Sequence, residues 1–152
     1  MIAYRTAAPA DAHALARMRV AFLTDAGNLP PEHQTEMEAI LLEFFTASLA
    51  DGSFAAWLAF DGEKIVATSG LSFSMIPPSF SDKTGKTAYI MNMYTLPEYR
   101  RQGIAAQLLK RIVEEAKARG FPKITLYATE MGRPLYEKFG FEDAHGYMVM
   151  RV

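Results

Sequence analysis

The fold of this chain is decided by residues 94–105, which read YTLPEYRRQGIA. A run of β-formers ends at Pro97, two arginines follow, and Gly103 leads into an amphipathic helical pattern. The first N–H groups of a helix have no partner within it, and the helix dipole adds roughly half a positive charge there. Gly103 lets a ligand approach the backbone, and the alanines after it are small. The stretch therefore predicts an anion site that suits a pyrophosphate.

The glycine pattern of this stretch excludes two other phosphate-binding loops. A dinucleotide fingerprint needs three glycines at fixed spacing, and a nucleoside-triphosphate P-loop needs Gly-Lys-Ser/Thr, and neither is present. Taken alone, Arg-x-x-Gly-x-Ala also fits an ordinary tight turn with surface arginines. The interpretation therefore depends on the position of the string between a strand and an amphipathic helix.

The rest of the chain predicts an α/β (α+β) fold, a mixed sheet with helices on its faces. The predicted strands are 2–6, 54–60, 64–75, 88–96, 123–128, 141–143 and 147–151, and the predicted helices are 12–27, 32–51, 104–119 and 132–139. Asp61-Gly62 between two apolar runs predicts a hairpin. The strand–helix–strand order over 88–128 predicts parallel pairing with a right-handed crossover. In the first predicted helix, we expect Arg17 and Arg19 to lie outside the stripe of apolar residues that faces the core.

Composition limits the class of protein. The chain has 152 residues, half of them hydrophobic, which is one domain of ordinary size. The absence of cysteine excludes a disulfide framework, a thiolate zinc site and a cysteine nucleophile. A net charge of −1 favours neither a nucleic-acid nor a membrane-surface partner. We see no signal peptide and no apolar run near the ~20 residues of a membrane span, so we expect a cytoplasmic protein.

Two motifs resemble one family. Residues 100–105, RRQGIA, are similar to the Arg/Gln-x-x-Gly-x-Gly/Ala signature of the GNAT superfamily of acetyl-coenzyme-A-dependent N-acetyltransferases, and 96–99, LPEY, is its usual approach. Residues 135–141, LYEKFGF, resemble the second motif of the family at the usual distance. The resemblance implies a GNAT fold over residues 1–152. This fold has a mixed, mostly antiparallel sheet of about seven strands, a splay between strands four and five, and about four helices.

The resemblance also implies the cofactor contacts, with acetyl-CoA as cosubstrate and no metal. The pyrophosphate is expected beside Arg100, on the backbone N–H groups of Arg101, Gln102, Gly103, Ile104, Ala105 and Ala106. The pantetheine arm is expected along Met93, Tyr94 and Thr95. Thr129 stands where many members have an asparagine that contacts the pantetheine.

The resemblance assigns catalytic roles to fewer residues. Tyr136 matches the tyrosine near the cofactor sulfur and is the expected general acid; alternatively, it packs its ring and only hydrogen-bonds the cofactor. Asn92 can order a water that takes the amine proton, or can satisfy a backbone bulge. Glu130 is a candidate base or a solvated loop charge. His13, His33 and His145 are expected at surface or cap positions, without metal-ligand spacing.

The leading function is an N-acetyltransferase that transfers an acetyl group to a small-molecule or peptide amine by direct attack. The second candidate is a catalytically silent acyl-CoA-binding or regulatory module of the same fold, and the third is an interaction domain without a cofactor. The acceptor pocket is expected between residues 27–32, the fourth strand and residues 144–146. Dimerisation through the terminal strands is common in this family, so a homodimer is a further expectation.

Overall fold

The computed structural model describes residues 1–152 and contains five strands and four α-helices. The strands are β1 (Ile2–Thr6), β2 (Phe54–Asp61), β3 (Lys64–Met75), β4 (Lys86–Thr95) and β5 (Lys123–Leu126). The helices are α1 (Ala12–Asp25), α2 (Gln34–Asp51), α3 (Ile104–Ala118) and α4 (Arg133–Phe139). Single 3₁₀ turns that begin with proline precede α1 and α2 and follow β4. Proline suits these first turns because its missing N–H would have no partner there.

The strands form one sheet in the order β1-β2-β3-β4-β5. The first three pairings are antiparallel, and β4 with β5 is parallel, as the strand–helix–strand order predicts. The Asp61-Gly62 hairpin is confirmed, because Asp61 pairs with Lys64. The β4–β5 ladder runs only from Thr87/Lys123 to Ile90/Leu126. The second half of β4 therefore has no strand beside it on that side.

The core lies on both faces of the sheet. Successive strand side chains point to opposite faces, so Ala56 and Leu58 face α1 and α2 whereas Trp57 packs against the α3 side. The α1/α2 side buries Ala12, Leu15, Ala16, Leu41, Phe45, Phe54, Ala56 and Leu58. The α3/α4 side buries Leu71, Ala88, Ile90, Leu109, Ile112, Val113, Ala116 and Tyr136. The sheet is therefore packed against helices on both of its faces.

The predicted terminal strands 141–143 and 147–151 are wrong, so the sheet has five strands rather than about seven. After the bond from the Phe141 N–H to Tyr136, the chain forms no backbone hydrogen bond, and Tyr147, Met148 and Met150 are exposed. The β-forming residues of this segment do not make a strand by themselves, because a strand needs a ladder with a partner. None of the helices is long and apolar enough to span a membrane.

Candidate active site

The loop between β4 and α3 presents a row of unused backbone donors. The N–H groups from Arg101 to Ala106 donate no hydrogen bond within the chain, and the first helical bond runs from the Gln107 N–H to the Gly103 carbonyl at 3.1 Å. Arg101 and Gly103 have left-handed φ values of 64° and 77°. Alternating left-handed residues before a helix turn successive N–H groups toward one side, which is the geometry of an anion-binding nest.

The space beside these donors is open. A Cβ built on Gly103 would meet no atom within 4 Å. Ala105 and Ala106, in the first turn of α3, are half-buried. The Arg101 side chain is exposed and forms no salt bridge, so its positive charge is free to meet a ligand. The loop therefore offers donors, open space and positive charge to an anion of the size of a pyrophosphate.

Arg100 has a different environment from Arg101. Its Nε donates to the Thr95 carbonyl at 3.0 Å, and its Nη2 lies 3.2 Å from Asp25 Oδ2 at the end of α1. The Tyr94 hydroxyl donates to the same carboxylate oxygen at 2.5 Å. The Arg100 charge is therefore partly balanced by Asp25, and this cluster joins α1, the end of β4 and the loop. Burial, with the Asp25 hydrogen bond, raises the pKa of Tyr94 to about 12.

A β-bulge lies in β4 at Asn92. Thr68 pairs with Tyr94 and Gly70 with Met91, so Asn92 and Met93 together lie opposite one residue of β3. Asn92 has a φ of 59°, a conformation that asparagine tolerates better than most residues. Its carbonyl accepts a bond from Thr68 Oγ1 at 2.8 Å. The bulge falls just beyond the end of the β4–β5 ladder, where the two strands separate.

The Asn92 side chain is buried and only partly satisfied. Its Oδ1 accepts a hydrogen bond from Arg19 Nη1 at 3.0 Å, whereas its Nδ2 has no partner in the protein. Burial lowers the pKa of the Arg19 guanidinium. The placement of Arg19 outside the helix stripe is wrong, because its side chain faces β4. The signal was available, since Arg19 follows Leu15 by four residues and precedes Phe22 by three.

Tyr136 lies on α4 in the core cluster that α3 forms with β4, and Met93 packs against the same cluster. Its ring contacts Phe141 at a centroid distance of 6.0 Å and leaves no room for a side chain at Gly132. Its hydroxyl forms no hydrogen bond within the chain. Burial raises the pKa of Tyr136, so the phenol stays protonated at neutral pH. The structure thus brings a protonated phenol and Met93 to one cluster.

The other candidates lie at the surface. Thr129 is exposed, and its Oγ1 accepts a bond from the Gly132 N–H at 3.1 Å before α4. Glu130 and His145 are exposed in loops. His13 of α1 pairs with Glu38 of α2, and His33, in the 3₁₀ turn before α2, pairs with Glu36. No group of residues has the arrangement of a metal site.

Sequence reasoning missed three residues that border the bulge region: Arg19, Asp25 and Tyr89. Tyr89 lies on β4, its ring lies 6.1 Å from that of Tyr127, and Arg19 lies close enough to influence its pKa. Tyr127 in turn contacts Tyr147 at 5.4 Å. Asp25 gave no local signal, because its partners Tyr94 and Arg100 are distant in sequence.

Comparison with known proteins identifies the family. The profile of the acetyltransferase (GNAT) family matches residues 15–141, and the chain belongs to this family. A predicted acetyltransferase from Clostridium acetobutylicum, crystallised with acetyl-CoA, is 38% identical with a TM-score of 0.90; the alignment covers 99% of this chain and 96% of that one.

Curated relatives match over shorter stretches. The uncharacterized N-acetyltransferase YsnE of Bacillus subtilis is 31% identical over 57% of this chain and 54% of its own length. The thialysine N-epsilon-acetyltransferase of Bos taurus is 31% identical over 43% of this chain and 40% of its own length. The chain therefore spans about half or less of the length of these relatives.

Proposed function

We propose that this protein is an acetyl-CoA-dependent N-acetyltransferase that acts on an amine by direct transfer. The observation that carries the proposal is the unbroken row of free N–H groups from Arg101 to Ala106, beside the uncovered space at Gly103. The Clostridium acetobutylicum protein, similar over nearly its whole length, is described with acetyl-CoA, which supports the same cosubstrate here.

The cofactor-binding residues divide into two groups in this proposal. The N–H groups of residues 101–106 hold the pyrophosphate, and Arg101 adds charge. The β4 residues Met93, Tyr94 and Thr95 line the gap beside β5 and pair with the pantetheine arm. Arg100 orients the end of β4 through the Thr95 carbonyl, and Thr129 closes the turn before α4.

Acetyl-CoA supplies the acetyl group and the thiolate leaving group. A backbone N–H near Met93 polarises the acetyl carbonyl, as an oxyanion site does. Tyr136 donates its phenolic proton to the departing sulfur, and the phenolate then regains a proton from the solvent. Ordinary thiol and phenol pKa values, near 8.5 and 10, are close enough for this transfer, and burial, which raises the pKa of Tyr136, keeps the phenol protonated beforehand. Asn92, with its free Nδ2, orders a water that takes the proton from the amine. The chain has no cysteine, so the acetyl group cannot pass through a cysteine acyl-enzyme.

The test combines binding and turnover. Acetyl-CoA at 100 times its Kd is expected to stabilise the protein by ~2.7 kcal/mol, or about 5–10 °C in Tm. With a broad amine panel, at least one amine is expected to release free coenzyme A at a rate above hydrolysis. Binding without release from any amine would instead support the silent acyl-CoA-binding module, and no stabilisation would contradict both functions.

A further inference from the structure

Arg19 is a cation that has been partly withdrawn from water without a carboxylate partner. It forms none of the salt bridges in the structure, and its one hydrogen bond within the chain goes to the neutral Oδ1 of Asn92. The nearby acidic groups have other partners: Glu38 pairs with His13 and Arg17, and Asp25 pairs with Arg100. Charges that lose water are normally paired. Beyond Asn92, the guanidinium carbon of Arg19 lies 5.9 Å from the centre of the Phe22 ring, a contact that does not supply a counter-ion.

Asn92 gives a second, independent observation at the same place. Its exposure is 3%, and its Nδ2 has no partner, whereas nearly all buried polar groups in proteins have one. The bond from Arg19 fixes the orientation of the amide, because a guanidinium can only donate and therefore requires Oδ1. The remaining N–H groups of Asn92 and Arg19 make a site rich in donors and without an acceptor.

The site lies beside the gap between β4 and β5, on the α1 side of the sheet. Tyr89 pairs with Thr125 close to the end of the parallel ladder, and Asn92 lies just past it. The rings of Tyr89 and Tyr127 contact each other at this end of the ladder, with centroids 6.1 Å apart. Met93, proposed to lie along the cofactor arm, is the next residue after Asn92, so their Cα atoms are about 3.8 Å apart.

We propose that Arg19, with one of the two N–H groups of Asn92 Nδ2, receives a carboxylate of the acceptor, while the other N–H holds the water, so that the substrate is an amine that also carries a carboxylate, as an amino acid does. This inference rests on the proposed acetyltransferase function. A guanidinium binds carboxylate through two parallel hydrogen bonds, and it still has free N–H groups after its bond to Asn92. With its carboxylate bound there, the amine, a few bonds away in the same molecule, can reach the acetyl group.

The first experiment compares matched acceptors by release of free coenzyme A. The probes are phenylalanine, phenylalaninamide and phenethylamine; lysine, lysinamide and cadaverine; and phosphoethanolamine as a phosphate-bearing amine. We expect kcat/KM for at least one acid to exceed that for its amide by about tenfold or more. Equal values would overturn the inference and leave the acetyltransferase function standing. Preference for phosphoethanolamine would overturn the carboxylate assignment, and no release from any amine would overturn the proposed function itself.

The second experiment uses Arg19→Gln with Arg17→Gln as the matched control. Arg17 lies on the same helix, is exposed and faces Glu38 instead of β4. The readout is the ratio of kcat/KM for an acid to that for its amide, which a general loss of activity or folding leaves unchanged. We expect Arg19→Gln to reduce this ratio about tenfold to a hundredfold, Arg19→Lys to recover part of it, and Arg17→Gln to leave it unchanged. An unchanged ratio in Arg19→Gln would show that Arg19 only supports the fold.

Discussion

Replacing Gly103 by valine is expected to change two properties of the β4–α3 loop, the conformational strain of its backbone and its affinity for acetyl-CoA. A left-handed backbone costs an L-residue roughly 1–2 kcal/mol, and Gly103 has a φ of 77°. A Cβ there meets no atom within 4 Å, so the first atom of the new side chain adds no clash to this cost. The free energy of unfolding is therefore expected to fall by about 1–2 kcal/mol and the Tm by about 2–8 °C.

Gly120 provides a matched control at the other end of α3. Its φ is 79°, and a Cβ there also meets nothing within 4 Å, so Gly120→Val carries the same strain away from the site. Relief of the strain at Gly103 rotates the adjacent N–H groups, and each lost hydrogen bond to a charged group is worth about 1.5–3 kcal/mol. We expect acetyl-CoA affinity to fall about tenfold to a hundredfold in Gly103→Val only.

The assay is isothermal titration of each variant with acetyl-CoA, together with thermal unfolding of the free protein. The two variants should lose similar stability, and only Gly120→Val should keep the affinity of the wild type. If both variants bind acetyl-CoA as tightly as the wild type, the pyrophosphate does not lie on this loop and the reasoning is refuted.

Two further predictions concern tyrosines. Tyr136→Phe should lower kcat about 10²- to 10⁴-fold and change the acetyl-CoA Kd less than twofold, because the ring keeps its packing and only the proton donor is lost; wild-type kcat would reject the acid role. For Tyr94, the folded pKa of about 12 exceeds the unfolded value near 10, so its stabilisation is complete below pH 10 and is lost toward pH 12. Chemical unfolding across this range should show a fall in the free energy of unfolding that is smaller in Tyr94→Phe than in the wild type. Equal slopes would contradict the raised pKa of Tyr94.

Local patterns were sufficient for most of the fold. The Asp61-Gly62 pair fixes a hairpin within a few residues, and the spacing of Ile104, Leu108 and Ile112 defines the buried face of α3. The terminal strands failed because their formation depends on a distant edge, which local β propensity does not describe. In α2, Ile40 and Phe44 lie at helical spacing with the buried Leu41 and Phe45, yet they are 52% and 47% exposed.

The part of the candidate site that could be predicted is the part whose residues follow one another within a single sequence motif. Residues 101–103 form a loop and residues 104–106 the first turn of α3, as the motif predicts, because a glycine between a strand end and a helix determines the backbone locally. Asn92 stood out as a polar residue in an apolar strand, but its left-handed conformation depends on the pairing of β3 with β4. Arg19 and Asp25 meet β4 only through the packing of α1, so their contacts required the three-dimensional structure.

The free N–H groups after β4 are proposed to hold the cofactor and to place its thioester beside the β4 bulge. A crystal structure of this protein with acetyl-CoA shows whether they do. We expect pyrophosphate oxygens at hydrogen-bond distance from the backbone nitrogens of residues 101–106, with the thioester between Asn92 and Tyr136. A cofactor bound elsewhere, or a pyrophosphate held only by side chains away from Gly103, would contradict it.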